Sequence, residues 1–295
     1  MALGRSGRSP GRWFGSAADP LPSSSPSTTS LGRYAHECAF CGSQILMHDE
    51  ATNRKYELGV GAMKIEFWSD VVCPYCGLMD HRLHLALDRF AHGDQVRVIH
   101  RSFQLHPDLP RSGVTQRKLI EMAGAPASTV NQVLRPIERA AEAEGLTPYH
   151  AVDRTLGPTD LAHELLAYAA DQGRGNEIWT AMFRAHFGQA RKLWTAEEVL
   201  DFAAEVGLDR AEAAEVLRSH RYRARVAADQ REAQGLGARG APFLVFDGRF
   251  AVPGAIGTDD LLAVIIKAWD ESHPTSRSLP VVAGADGVCA PDGCA

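Results

Sequence analysis

The feature that most constrains this chain is a pair of cysteines, Cys73 and Cys76, placed between a strand-like and a helix-like segment. Residues 64–68 (KIEFW) alternate polar and apolar side chains, which predicts a half-buried strand. Residues 78–90 carry leucines and a phenylalanine at helical spacing, which predicts an amphipathic helix. The CPYC motif therefore lies at the N-terminus of a helix that directly follows a strand.

This placement gives the two thiols different chemistry. Unsatisfied N–H groups and the macrodipole at a helix N-terminus favour a thiolate, so we expect Cys73 to be a nucleophile that solvent can reach. Cys76, one turn further on, is expected to be shielded and to attack the mixed disulfide that Cys73 forms. Half of a zinc site is the alternative, but no second half lies close in the sequence.

The rest of the chain predicts one split α/β domain. Residues 95–103 predict a second strand, and residues 115–235 predict helices with apolar stripes that pack as a small subdomain. Residues 242–252 predict a hairpin with an Asp-Gly turn, and residues 259–269 predict a closing amphipathic helix. The expected order is β-α-β, then a helical insertion, then β-β-α.

Two distant motifs carry a family resemblance. WSDVVCPYC at residues 68–76, together with GAPFLVFDGRFAVPGA at residues 240–255, resembles the DsbA-like thioredoxin superfamily, and more closely its FrnE-type branch. The resemblance runs from about Met63 to Trp269. It implies a thioredoxin-like fold with a large all-helical insertion, and a thiol-disulfide oxidoreductase or isomerase whose catalytic residues are Cys73 and Cys76.

The resemblance also implies a substrate-binding region. In thioredoxin-like folds a cis-proline lies opposite the cysteine pair, and it maps onto Pro242, which follows Ala241. An X-Pro bond can be cis at modest cost, and such a bond leaves a backbone edge open to an extended substrate. Together with Pro74 and Tyr75 these residues are the expected substrate contacts; an ordinary trans proline at the start of a strand is the alternative.

The dipeptide between the cysteines bears on the reduction potential. Pro74 suits a first helical turn, which does not need its missing N–H. Tyr75 is neutral, whereas DsbA has a Pro-His pair between its cysteines. One cationic stabiliser of the thiolate is therefore absent. We predict a potential between those of glutaredoxins, about −200 to −230 mV, and that of DsbA, about −120 mV.

Two further residues invite functional interpretations. Asp70 follows the first strand and could assist proton transfer from Cys76, or simply cap the backbone of the exit loop. His163 lies in the helical insertion, where relatives with this fold often carry a histidine. It is expected either to line the cleft or to be an ordinary structural histidine.

The other four cysteines form two close pairs. Cys289 and Cys294 lie near the C-terminus in a CX4C element like that of FrnE-type sequences, which suggests a second dithiol that exchanges electrons with the catalytic pair. An inert loop disulfide is the alternative. Zinc held by these two and by Cys38 and Cys41 has the right ligand count but requires both termini to meet, so we expect no metal.

The predicted organisation has five segments. Residues 1–62 are expected to be a disordered or wrongly assigned N-terminal extension, with a transit peptide as the alternative. Residues 63–104 and 236–270 are expected to form the split thioredoxin-like domain, interrupted by the helical insertion at residues 105–235. Residues 271–295 are expected to be a flexible tail.

Composition limits the partners. The net charge is −5 and the basic residues are scattered, which argues against nucleic acid. Apolar runs are far shorter than the roughly 20 residues that cross a bilayer, so no membrane contact is expected. We expect a cytoplasmic protein that acts on protein or small-molecule thiols and disulfides without a required cofactor, with glutathione as a candidate co-substrate.

Two other functions compete with disulfide exchange. Glutathione-dependent isomerases and transferases of the 2-hydroxychromene-2-carboxylate isomerase or kappa-class type share the fold and a similar helical insertion. They typically carry serine at the position of Cys73 and need no resolving thiol, so the intact CPYC motif argues against them. A redox-sensing or chaperone-like binding module is the third interpretation.

Overall fold

A four-stranded mixed sheet with helices on both faces forms the centre of the described part of the chain. The computed structural model describes residues 62–274 and the backbone of residues 289–290 and 293–294. In chain order its elements are β1 (Met63–Ser69), α1 (Pro74–Arg89), β2 (Val96–Ser102), β3 (Val114–Thr115), α2 (Gln116–Met122), α3 (Thr129–Ala143), β4 (Thr155–Leu156), α4 (Asp160–Asp171), α5 (Gly175–Phe183), α6 (Ala196–Glu205), α7 (Arg210–Ser219), α8 (Arg223–Gly235), β5 (Phe243–Phe246), β6 (Phe250–Pro253), α9 (Thr258–Ser272), β7 (Cys289–Ala290) and β8 (Gly293–Cys294).

The sheet has the strand order β2-β1-β5-β6. β1 runs parallel to β2 and antiparallel to β5, and β6 returns antiparallel to β5. The turn between β5 and β6 uses Asp247 and Gly248, both with positive φ, as the Asp-Gly signal predicts. The predicted fold class, a thioredoxin-like fold whose β-α-β and β-β-α halves are separated by a helical insertion, is confirmed. The insertion is not all-helical, however, because β3 and β4 pair in it as a short antiparallel sheet.

One face of the sheet packs against α1 and α9. Alternate residues of β1 point to this side, as the period of a strand requires. They join apolar side chains of both helices in a core cluster that includes Met63, Ile65, Phe67, Leu83 and Ile265. The CPYC helix is therefore held to the sheet by continuous apolar burial.

The opposite face is covered by α8, which joins the helical insertion to β5. Trp68 points to this side and packs with Phe243, and its indole Nε1 donates a hydrogen bond to the Asp229 carbonyl at 2.8 Å. The Asp229 carboxylate accepts the backbone N–H of Ser102 at 3.1 Å. These bonds attach α8 to both β1 and β2.

A buried polar contact joins α1, β2 and α5. His100 Nε2 lies 3.2 Å from Asp80 Oδ1, and Thr180 donates to Asp80 Oδ2 at 2.9 Å. His100 also stacks on Trp179, with ring centroids 5.3 Å apart. The insertion is thus packed against the CPYC helix rather than tethered loosely beside it.

Local side chains cap two helix starts in the insertion. Thr195 and Glu198 form a capping box at α6, and Asp209 accepts the N–H of Glu212 at 2.9 Å to cap α7. None of the described helices is long and apolar enough to cross a membrane.

Several predictions fall on the chain termini. Cys38 and Cys41 lie outside the described residues, as does the predicted N-terminal extension apart from its last residue. Near the C-terminus, β7 pairs with β8 so that the backbone of Cys289 is opposite that of Cys294. The predicted domain limits remain predictions.

Candidate active site

Cys73 occupies the N-cap position of α1. Its backbone is extended, with φ −84° and ψ 113°, and Pro74 begins the helix. The Cys73 N–H donates to the Asp70 carbonyl at 3.1 Å, and the Cys73 carbonyl accepts the Cys76 N–H at 2.9 Å. The strand therefore turns directly into the helix and leaves one thiol at the helix start, as the sequence predicts.

The two distant sequence motifs meet at this thiol. Cys73 Sγ donates to the carbonyl oxygen of Ala241 at 3.4 Å, although the two residues are 168 positions apart. The Ala241–Pro242 peptide bond is cis, and the Pro242 carbonyl accepts the N–H of Gly254 at 2.9 Å. Neither Cys73 nor Cys76 is in a disulfide.

The exposure of the motif is greatest at its third position and low at both cysteines. Tyr75 is 43% exposed, Cys73 is 4% exposed and Cys76 is fully buried. The shielding of Cys76 agrees with its expected role. Cys73 is more covered than an attacking thiol was expected to be, because the backbone of Ala241 lies directly against its sulfur.

Burial also changes the acidity of the second thiol. It raises the pKa of Cys76 well above the usual value of a thiol, and the hydrogen bond and charge of Cys73 add to the effect. Cys76 is therefore protonated at neutral pH. It can attack only when its proton leaves during the exchange reaction.

Asp70 acts on the backbone of the loop that precedes Cys73. Its Oδ2 accepts the N–H of Leu105 at 2.6 Å and its Oδ1 accepts that of Val72 at 3.4 Å, as the capping interpretation predicts. Burial alone would raise the pKa of Asp70. His163, the Leu105 N–H and Thr159 outweigh that effect and lower it, so the buried carboxyl is ionised.

His163 is completely buried beside that carboxylate. Its Nε2 lies 3.4 Å from Asp70 Oδ1, and its ring meets the edge of Trp179 with centroids 5.4 Å apart. It therefore does not line an open cleft. It is a structural histidine that connects α4 to the loop before the cysteine pair.

Sequence reasoning missed two aromatic residues of the insertion that contact α1. The Tyr149 hydroxyl donates to the Pro74 carbonyl, and its ring stacks on Phe187 with centroids 4.8 Å apart. A Cβ on Gly77 would lie 2.7 Å from the Tyr149 oxygen and 3.0 Å from Phe187. A glycine just after CPYC hinted at a close approach, but nothing in the sequence identified what approaches.

No metal centre is evident near this site. Within residues 62–274, no group of three or more His, Cys, Asp or Glu side chains is arranged to hold a metal ion. The four cysteines of the zinc alternative lie outside the side chains that the structure describes.

Comparison with known proteins agrees with this arrangement. The sequence model of the DSBA-like thioredoxin domain matches residues 64–265. A probable DsbA oxidoreductase from Streptomyces coelicolor is 33% identical, with a TM-score of 0.68, and the match covers 79% of this chain and 98% of that one. A sequence search of curated proteins found no significant match.

More distant structures share the fold. A candidate protein disulfide isomerase from Nitrosomonas europaea is 13% identical with a TM-score of 0.55, covering 72% of this chain and 99% of that one. A 2-hydroxychromene-2-carboxylate isomerase is 15% identical with a TM-score of 0.52, covering 69% of this chain and 93% of that one. At these identities the likeness concerns architecture alone.

Proposed function

The chain belongs to the family of DSBA-like thioredoxin domains, and from that premise we propose that it is a thiol-disulfide oxidoreductase that uses Cys73 and Cys76. One observation carries the proposal: a helix-terminal cysteine faces the Ala241 carbonyl while a second, fully buried cysteine lies one turn behind it. An isomerase that relies on glutathione alone needs no such second thiol. Disulfide exchange accounts for both.

The exchange proceeds in two displacements. The Cys73 thiolate attacks one sulfur of the substrate disulfide, the substrate S–S bond breaks, and the leaving sulfur takes a proton from solvent. Cys76 then loses its proton and attacks Cys73 Sγ, which breaks the mixed disulfide and releases the second substrate thiol. Two electrons and two protons pass from the cysteine pair to the substrate, and an external thiol such as glutathione returns the pair to its reduced form.

The substrate is expected to dock beside the Cys73 sulfur. Tyr75 offers an exposed ring on one side, and the carbonyl of Ala241, which precedes cis Pro242, faces the sulfur on the other. Pro74 continues this surface at the start of the helix. An extended segment of a protein disulfide, or a small-molecule disulfide, fits such a contact through backbone hydrogen bonds.

Several finer features belong to the same proposal. They are the FrnE-type assignment, a cytoplasmic location, glutathione as a co-substrate and a potential between those of glutaredoxins and DsbA, each of which the sequence suggests. A second dithiol at Cys289 and Cys294 is supported by the pairing of their backbones. Differential alkylation and mass spectrometry across a series of redox buffers would detect a mixed disulfide between this pair and Cys73.

The decisive test is insulin reduction driven by dithiothreitol. We expect Cys73→Ser to abolish it, because serine cannot form the mixed disulfide, while circular dichroism shows that the variant is folded. Insulin reduction at the wild-type rate in Cys73→Ser would refute the proposal. Glutathione-dependent isomerisation that survives the same substitution would favour the isomerase interpretation instead.

A further inference from the structure

Arg154 is a buried cation beside the candidate active site. It lies just before β4 in the helical insertion and is 7% exposed. Its guanidinium donates to the Ala151 carbonyl at 3.1 Å, to His186 Nε2 at 2.9 Å and to Gln116 Oε1 at 3.0 Å. All three acceptors are uncharged groups, so each guanidinium nitrogen makes a hydrogen bond and the charge is not neutralised.

His186 is not a counter-ion for this arginine. Its Nε2 accepts from Arg154, and its Nδ1 lies 2.9 Å from the Arg191 carbonyl, to which it donates. Burial, reinforced by the Arg154 charge, lowers the pKa of His186 to about 3. The imidazole is therefore neutral and held in one tautomer by its two partners.

The guanidinium remains charged because anionic groups lie within electrostatic range. Burial lowers the pKa of Arg154 to about 10, and Tyr149, Cys73, Asp70 and Glu138 act against that decrease. Of these four, Tyr149 is uncharged at neutral pH because burial raises its pKa well above the usual value. Three groups remain that could carry the balancing negative charge.

Two of the three already have partners of their own. Glu138 forms an ion pair with Arg135 at 2.6 Å. Asp70 lies 3.4 Å from His163 and accepts backbone N–H groups. Asp70 therefore balances part of the Arg154 charge, and the sulfur of Cys73, when ionised, is a further anion within electrostatic range of the guanidinium.

One aromatic ring separates this charge from the CPYC helix. The Arg154 guanidinium lies 5.0 Å from the centre of the Phe187 ring, and the same ring would lie 3.0 Å from a Cβ on Gly77 in the first turn of α1. Phe187 is 1% exposed. Both side chains are buried, so a charge acts there over a longer distance than at the surface.

We propose that Arg154 is a positioning residue whose fixed positive charge stabilises the thiolate of Cys73, so that the helical insertion sets the reduction potential of the Cys73–Cys76 pair. The inference rests on the proposed function in one respect, the redox use of this pair. It supplies the cation that the neutral Tyr75 does not provide between the cysteines.

The equilibrium with glutathione measures this effect without a protein substrate. One glutathione disulfide accepts two electrons from the reduced pair, which gives the Cys73–Cys76 disulfide and two molecules of glutathione. Loss of the Arg154 charge destabilises the reduced form. We expect the equilibrium constant for this oxidation to rise about tenfold, which for a two-electron couple makes the potential about 30 mV more negative.

Three variants of the full chain separate charge from packing. Arg154→Gln removes the cation, and Arg154→Lys keeps it. Gln116→Glu is isosteric and places a carboxylate on the guanidinium, which neutralises its charge without opening a cavity. Arg101→Gln is the matched control, because it removes an arginine that is already paired with Glu66 on the other face of the sheet.

The state of the pair is followed by differential alkylation and peptide mass spectrometry, together with the rate at which iodoacetamide modifies Cys73 at pH 7. We expect Arg154→Gln and Gln116→Glu to raise the equilibrium constant and slow alkylation about tenfold, and Arg154→Lys and Arg101→Gln to remain within about twofold of wild type. If Arg154→Gln does not fold, the result for Gln116→Glu alone tests whether the Arg154 charge stabilises the thiolate.

Wild-type values in a folded Arg154→Gln or Gln116→Glu protein would overturn the inference, as would an Arg154→Lys variant that shifts as far as Arg154→Gln. Because the measurement uses only glutathione, it is independent of insulin reduction. Unshifted constants together with a Cys73-dependent insulin activity would refute the role of Arg154 and leave the proposed function intact.

Discussion

Asp70 and His163 meet in the interior of the protein, with Asp70 Oδ1 3.4 Å from His163 Nε2 and neither residue exposed to solvent. Asp70 directly follows β1, whereas His163 belongs to α4 of the insertion. The same carboxylate accepts the N–H of Leu105 beyond β2. The buried Asp70 carboxylate therefore links the loop before Cys73 to α4 of the insertion and to the segment that follows β2.

We expect this charge to govern the acid stability of the protein. The pKa of Asp70 is lower in the folded state than its ordinary value of 3.8. The stabilisation of the folded state by ionised Asp70 is therefore complete above about pH 4. It is lost as the pH falls through the folded-state pKa of Asp70. Asp70→Asn should lower the free energy of unfolding at pH 7 by about 3 kcal/mol and weaken the loss of stability in acid.

Urea unfolding between pH 2 and pH 7 measures this dependence. The exposed Asp108→Asn variant is the control and should behave like the wild type, because its carboxylate is solvated in both states. An Asp70→Asn protein with the wild-type slope in acid would show that another carboxyl is responsible.

The burial of Cys76 predicts a trapped intermediate. Without the resolving thiol, Cys76→Ala should accumulate a mixed disulfide between Cys73 and the substrate, because no other described thiol lies behind the attacking sulfur. Incubation with a disulfide-containing protein, followed by non-reducing gels and mass spectrometry, detects the adduct. Cys73→Ser should give none; an adduct on Cys76 in that variant would reverse the roles of the two thiols.

Gly77 should tolerate no side chain. An added Cβ would lie 2.7 Å from the Tyr149 oxygen, which cannot retreat without breaking its bond to the Pro74 carbonyl. We expect Gly77→Ala to cost about 1–3 kcal/mol. Gly235→Ala, where the added group meets nothing within 4 Å, should be neutral or stabilise the helix by up to about 1 kcal/mol. Equal effects in urea unfolding would contradict the close packing.

Tyr149 should couple energetically to that glycine. Tyr149→Phe removes a buried hydrogen bond and should cost about 1 kcal/mol. It also removes the oxygen that obstructs a side chain at Gly77, so the double variant should be more stable than the sum of the two single effects predicts. A double-mutant cycle in urea tests this. Strict additivity would mean that the ring of Phe187 alone excludes the methyl group.

The elements around the cysteine pair were predictable because their signals are local. The alternation of β1, the CPYC motif at the start of α1 and the Asp-Gly turn between β5 and β6 each depend on a few adjacent residues. Periodicity was less reliable for the limits of the buried face of a helix. Leu85, placed on the apolar stripe of α1 by its spacing, is 37% exposed.

The contacts that surround the reactive sulfur had no comparable signal. The insertion contributes Tyr149, Arg154 and Phe187 to the region near α1, and none of them is distinguished by spacing or composition. His163 was singled out only because relatives with this fold often carry a histidine there. Their importance comes from burial. A side chain gains a strong electrostatic or steric effect only where water is excluded, and packing decides where that occurs.

Sequence alone determined the order of strands and helices, the cysteine pair at a helix N-terminus and the family resemblance, because hydrophobic periodicity and short motifs are written in neighbouring residues. Only the tertiary structure decided that Ala241 covers the Cys73 sulfur, that the expected shielding of Cys76 is complete enough to keep it protonated, and that an arginine lies one ring away from the helix. Those properties depend on distances between segments far apart in the chain, which the free energy of packing sets and no local pattern encodes.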